Sequence, residues 1–327
     1  MRRLLVLVLL AAAAWSGYWV IGSRALERGV ADWFARMNAE GIIAERSSLA
    51  VQGFPNRFDL TIDAPRLHDP ASGLGWEAPF VQLLTLSYRP WHVIAALPSG
   101  QRVTTPQDVL TLASEKLQAS IRVVPGAALT LDELRVMGTG LDLVADSGSR
   151  LRIDEARFAT RRTLPDGTSH EIGLDLLGVH PDPAWHAALP GLPETVEKFH
   201  FDAEAAFTAP LDRHSAETRP GLESLHLAAL TLDWGQVALA GKGDIAVDAS
   251  GRAEGRITLS FTNWRDLIPV AIAAGLVSAE VAPTWERALS LLAASSGSRD
   301  TLDLPLVFAN GRMSLGPLPL GPAPLLR

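Results

Sequence analysis

The chain has no cysteine in 327 residues, which removes disulfides, thiolate zinc sites, cysteine nucleophiles and thioester lipid anchors. Lysine is almost absent as well. Lys116, Lys198 and Lys242 are the only three, and the remaining basic residues are arginines, single apart from the adjacent pairs Arg2-Arg3 and Arg161-Arg162. With Lys+Arg 29 against Asp+Glu 36 the net charge is −7, and no basic patch with interleaved aromatics forms. Nucleic acid is therefore not an expected partner. Two catalytic signatures are also missing. No G-x-S-x-G elbow occurs, and no G-x-x-x-x-G-K-[ST] loop. Gly241-Lys242-Gly243 superficially matches a dinucleotide fingerprint, but alternating strand residues follow it, not a helix whose N-terminus would hold a pyrophosphate.

What is present is apolar. At 47% hydrophobic and 20% charged the chain can bury a sizeable core, as one elongated domain or two medium ones. Twenty uncharged residues run from Leu4 to Ser23 between Arg3 and Arg24. As a helix they span about 30 Å, the thickness of a hydrocarbon core. Trp15, Tyr18 and Trp19 sit toward the far end, where amphipathic rings favour the membrane interface. Residues 1–24 read as a transmembrane anchor, or alternatively as a signal peptide cleaved near Ala11–Ala14. The two-arginine start reads as an export signal, so the body is expected outside the cytoplasm, although Arg24, Arg28 and Arg36 leave the positive-inside rule undecided. Over residues 25–41, Leu26, Val30, Trp33, Phe34 and Met37 make one apolar stripe at helical spacing, a stalk helix that Gly41 is placed to stop.

From Ile42 onward the period is two. In the segment 56–63, Phe58, Leu60 and Ile62 alternate with Arg57, Asp59, Thr61 and Asp63. The pattern returns at Leu141 and Leu143, at Ile172, Leu174 and Leu176, at Ile245 and Val247, at Ile257, Leu259 and Phe261, and at Leu302, Leu304, Leu306 and Phe308. Turn dipeptides at 166–167, 250–251 and 310–311 separate strands without helices, which implies antiparallel pairing. The expected fold is mainly β with a few helices: a long curved antiparallel sheet, taco-like or an open sandwich, behind the N-terminal helix. One β-rich domain covers 42–327, with a division expected near the proline-dense segment 178–195. Short helices are expected over Pro269–Leu276 and around Val281–Leu292. Residues 210–221 read as a surface loop, and the proline-rich tail as an edge strip.

Candidate chemistry is sparse. His180, Asp182 and His186 cluster in one loop, and His200 precedes Asp202 by two, but neither set has an obvious third metal ligand. Arg57 and Asp59 are placed for a same-face ion pair, and Glu77 beside Trp76 has no second carboxylate arranged with it. Around Arg89, Pro90, Trp91 and His92 the expectation is a structural corner, with Trp91 in the core and Arg89 on carbonyls. No catalytic residue, metal or cofactor is assigned.

Three segments carry a family resemblance: GFPNRFDL at 53–60 (Gly53, Phe54, Pro55, Arg57, Phe58, Asp59), GWEAP at 75–79 and YRPWHVIAALP at 88–98. They resemble the bacterial envelope family called domain of unknown function 2125. The C-terminal third is similar in texture to AsmA-like inner-membrane proteins. That resemblance implies a periplasmic sheet with an apolar inner groove and a link to lipid handling or envelope maintenance. The groove residues expected on this basis are Phe58, Leu60, Ile62, Ile257, Leu259, Phe261, Leu302, Leu304 and Leu306. The expectation is thus a non-enzymatic protein of the inner membrane whose partners are lipids or envelope proteins. The alternative is an interaction module whose faces close into a dry sandwich.

Overall fold

In the computed structural model the apolar N-terminal run and the stripe after it are one element, α1 (Arg2–Ala39), ended at Gly41 with φ +90°. The expected boundary at residue 24 marks only a change of composition. Arginine and glutamate are good helix formers, so nothing breaks the backbone there. By length and composition α1 can cross a membrane. The structure describes every residue except Pro190, Leu276, Ser296, Gly297, Arg299 and Arg327.

The chain divides into two compact units, Met1–Pro125 with Val136–Ser149, and Gly126–Arg135 with the residues from Arg150 onward. The division thus falls at 125–150 and not near 178–195. The proline-dense segment is instead a short helix, α2 (Pro183–His186), capped by Asp182, followed by a loop whose Leu189 and Leu192 pack against Trp234. Leu189 has a core position, which a hinge would not give it.

In the first unit the strands form two antiparallel series. The first runs β2 (Ser48–Gln52), β3 (Arg57–Asp63), β6 (Phe80–Leu86), β7 (Arg89–Leu97) and β10 (Lys116–Val123). The second runs β1 (Ile43–Glu45), β4 (Arg66–Asp69), β5 (Leu74–Glu77), β8 (Gln101–Thr104), β9 (Val109–Ala113) and the end of β11 (Leu131–Ala145). Strand β3 alternates as its sequence demands, with Phe58, Leu60 and Ile62 buried. What covers them is α1. Phe34, Ala44, Val51, Phe58, Leu60 and Ile62 make one cluster, with Leu26, Val30, Trp33 and Met37 of the helix stripe packed on it. Burying side chains of this size is worth about 1.5–3 kcal/mol each, so this stripe fixes the helix to the strands.

The second unit is a meander of nine antiparallel strands, each paired with the next: β12 (Arg150–Arg162), β13 (Ser169–His180), β14 (Val196–Phe207), β15 (Leu222–Trp234), β16 (Val237–Val247), β17 (Ala253–Thr262), β18 (Thr301–Ala309), β19 (Arg312–Leu315) and β20 (Leu318–Pro322). Asn310 and Gly311 both have positive φ, as the tight β18–β19 hairpin requires. The expected loop at 210–221 contains one helical turn, α3 (Ser215–Thr218). Helices α4 (Leu267–Ala273) and α5 (Ala282–Ser295) fill the β17–β18 connection. Pro269 is the third residue of α4 and not its entry, and the expected end at Leu276 lies outside the described residues. The tail expected as an edge strip is β20, which continues into an isolated bridge between Leu325 and Arg252.

Candidate functional site: an apolar sheet face

The register of the second unit aligns its alternating residues into rows that cross seven of its strands, β12 to β18. One row reads Phe158, Leu174, Phe201, Leu230, Gly241, Leu259, Leu304. The next reads Ala156, Leu176, Phe199, Leu232, Leu239, Phe261, Leu302. On the other face the intervening residues are Arg157, Asp175, His200, Thr231, Ala240, Ser260 and Asp303. Each strand thus carries one apolar and one polar face, and the apolar faces add up. The glycine of the first row fits closely, since a Cβ on Gly241 would stand 2.8 Å from Leu259 Cδ2. Gly243 has φ +156°, and a Cβ there would strike the Arg256 carbonyl oxygen at 2.2 Å. The fingerprint-like glycines therefore serve the sheet.

Cover over this face is uneven. At one end α4 and α5 roof it: Trp264, Leu289 and Ala293 are buried against Leu302, Leu304 and Leu318. A cavity of ≈ 110 Å³ remains under the roof, lined wholly by apolar side chains that include Phe261, Trp264, Ile268, Trp285, Leu289 and Leu304. Beside it Trp185 stacks on Trp234 at 6.3 Å, and Leu189, Val196 and Val237 are buried. At the opposite end the tail closes over Ala253 and Phe308. Between these covers Phe158, Leu174, Phe201, Leu230 and Leu259 stay half-buried.

The six groove residues expected in this unit meet as three cross-strand pairs: Ile257 with Leu306, Leu259 with Leu304, and Phe261 with Leu302. Those expected in the first unit do not line an open groove. Leu60 is 1% exposed and Phe58 6%, because α1 lies on them. Ile62 alone also reaches a crevice of ≈ 460 Å³ beside α1, with Val30, Trp33, Leu67, Trp76 and Leu83. The structure adds Phe199, Phe201 and Leu230 to this face. Each sits in a run of alternating residues, but only the register puts them in the same rows.

The polar candidates are occupied elsewhere. Asp182 accepts from the amides of Arg150, Trp185 and Ala184, which hold its carboxyl below the usual carboxylate range. His186 faces the Leu192 and Pro193 carbonyls, and His180 faces Asp154 and Thr195. His200 pairs across strands with Asp175 at 2.8 Å and not with Asp202. Among the described residues no group of three or more His, Asp or Glu is placed to hold a metal. Arg57 and Asp59 do pair, at 3.0 Å. Glu77 faces Arg102 at 3.2 Å and Arg66 at 4.0 Å, while Trp76 donates to the side chain of Gln101. Trp91 is not in the core. It lies just before the β7 residues that pair with β10, which begin at His92, and it is 36% exposed.

A family model described as an uncharacterized protein conserved in bacteria (DUF2125) matches residues 19–324. The chain belongs to that family. No curated protein matches it. The DUF2125 match starts at Trp19, inside the part of α1 that rests on the strands, and it runs through the complete meander.

Proposed function

We propose that this DUF2125 protein is a non-enzymatic, membrane-anchored protein of the bacterial envelope that holds the acyl chains of lipids on the apolar face of its second unit. The anchor is α1, and the body lies on the periplasmic side of the inner membrane. The observation that carries the reading is the set of apolar rows, continuous over seven strands and half-buried in the middle. Contiguous apolar surface of this kind marks an interaction site, because leaving it in water costs roughly 25 cal/mol per Å². Acyl chains suit it better than a compact ligand. The rows are long, and no polar side chain interrupts the two that run from β12 to β18. The textural likeness of the C-terminal third to AsmA-like proteins points the same way.

Mass spectrometry of the small molecules that accompany the detergent-extracted, purified protein tests this. The reading expects an acyl lipid in near-stoichiometric amount. Protein free of lipid, with an intact fold by circular dichroism, would contradict it and favour a protein-interaction face.

A further inference from the structure

Helix α1 meets the first unit through its aromatic residues. The Trp15 indole donates to the Pro55 carbonyl at 3.0 Å, Tyr18 Oη to the Ser87 carbonyl at 2.6 Å, and the Trp19 indole to the Arg57 carbonyl at 2.7 Å. Trp19 also meets Phe54 edge-on at 5.4 Å. These carbonyls lie in the β2–β3 turn, at the first residue of β3 and in the β6–β7 turn. The two turns and the end of β6 hold out large apolar side chains beside the helix: Phe54 is 56% exposed, Tyr88 53% and Leu86 37%.

The lengths do not leave these turns in water. A span of the hydrocarbon core needs about 30 Å of helix. The part of α1 free of the strands, Arg2–Ala14, supplies about 20 Å at 1.5 Å per residue. The missing length is the stretch from Trp15 onward, which carries the two turns with it. Next to them lies a cavity of ≈ 330 Å³ lined by Arg57, Arg89 and His92 on one hand and by Leu84, Leu86 and Ile94 on the other. Cationic and apolar groups side by side suit the junction of phosphate and acyl chain.

We propose that the end of the first unit formed by the turns at Phe54 and Tyr88 is seated in the bilayer interface, with Arg57 and Arg89 toward the phosphates of anionic phospholipid. This rests on reading α1 as a membrane anchor and adds that the folded strands themselves enter the headgroup layer. The seat holds the first unit at a fixed height, with its backbone carbonyls, not lipid, satisfying the indole and phenol donors of the helix.

A chain without cysteine allows single labelling sites. Full-length Phe54→Cys, Tyr88→Cys, Leu7→Cys and Glu40→Cys, each carrying a nitroxide, would be reconstituted in vesicles of phosphatidylcholine with phosphatidylglycerol. Depth is read from the ratio of oxygen to nickel-chelate collisions. The label at 7 is expected deep in the bilayer, those at 54 and 88 at intermediate interfacial depth, and that at 40 in water. A deep label at 7 with 54 and 88 as aqueous as 40 would overturn the seat and leave the anchor standing. An aqueous label at 7 would overturn the anchor and the seat with it. Equal depth at 88 in pure phosphatidylcholine vesicles would remove the arginine contribution.

Discussion

Leu259 and Leu304 are direct cross-strand partners on the apolar face, yet only Leu304 lies under the α4–α5 roof. Leu304 is 4% exposed, while Leu259 is half-buried. The two leucines share a row and differ in what stands above them. Truncating a packed leucine costs about 2–5 kcal/mol through lost transfer energy and the cavity left behind. Leu304→Ala is expected in that range by urea unfolding. Leu259→Ala is expected to cost less, toward or below the low end, and to lower the co-purifying lipid. Equal stability losses with unchanged lipid would indicate a filled face.

In the first unit, Leu60→Ala is expected to cost about 2–5 kcal/mol, since Leu60 is enclosed between β3 and α1. Its neighbour Thr61 points to the other side of β3 and is half-buried, so Thr61→Ala is expected to cost clearly less. Equal costs at the two positions, measured by the same unfolding assay, would mean that the strand register is wrong.

His170 gives the second unit a pH dependence. Its ring is fully buried, with Nδ1 3.3 Å from Thr160 Oγ1 and no hydrogen-bond partner for Nε2. Burial pushes its pKa below the ordinary 6.5, and the Arg162 charge acts the same way, opposed by the Gly167 backbone and Asp132. A lowered folded-state pKa means that the stability contribution is complete above 6.5 and is lost as the pH falls, because the unfolded chain takes up the proton first. The urea midpoint should therefore drop between about pH 7.5 and about pH 5.5, and His170→Gln should flatten that drop. A wild-type midpoint unchanged over this interval would contradict the neutral buried imidazole.

The side of the membrane is open to a direct assay. Alkaline phosphatase fused after Arg327 is expected to be active under the proposal that the body lies in the periplasm. A fluorescent C-terminal green fluorescent protein fusion with an inactive phosphatase fusion would reverse the topology.

How much of this was legible in the sequence differs by element. The alternation at 56–63 was enough to bury Leu60, and Asn310-Gly311 was enough to place a hairpin, because both signals are local. Arg57 and Asp59 pair for the same reason, two residues apart on one strand face. Long-range facts were not legible. Nothing in the run from Val196 to Phe207 says that Phe201 will stand between Leu174 and Leu230; that requires two strand registers. Nor does the change from apolar to charged residues at Arg24 reveal that α1 continues unbroken, since helix geometry is indifferent to hydropathy. Trp15, Tyr18 and Trp19 stand out in the sequence as rings near the end of the apolar run, but their carbonyl partners at Pro55, Ser87 and Arg57 lie 40, 69 and 38 residues away.

The most direct test of the apolar face uses two adjacent residues. Leu230 belongs to the apolar row and Thr231 to the polar one, so the same substitution at each differs only in face. Lipid bound per mole of purified protein would be quantified for Leu230→Glu and Thr231→Glu, with circular dichroism confirming that both fold. The account predicts a severalfold loss of bound lipid in Leu230→Glu and a wild-type amount in Thr231→Glu. Equal lipid in the two folded variants would contradict it.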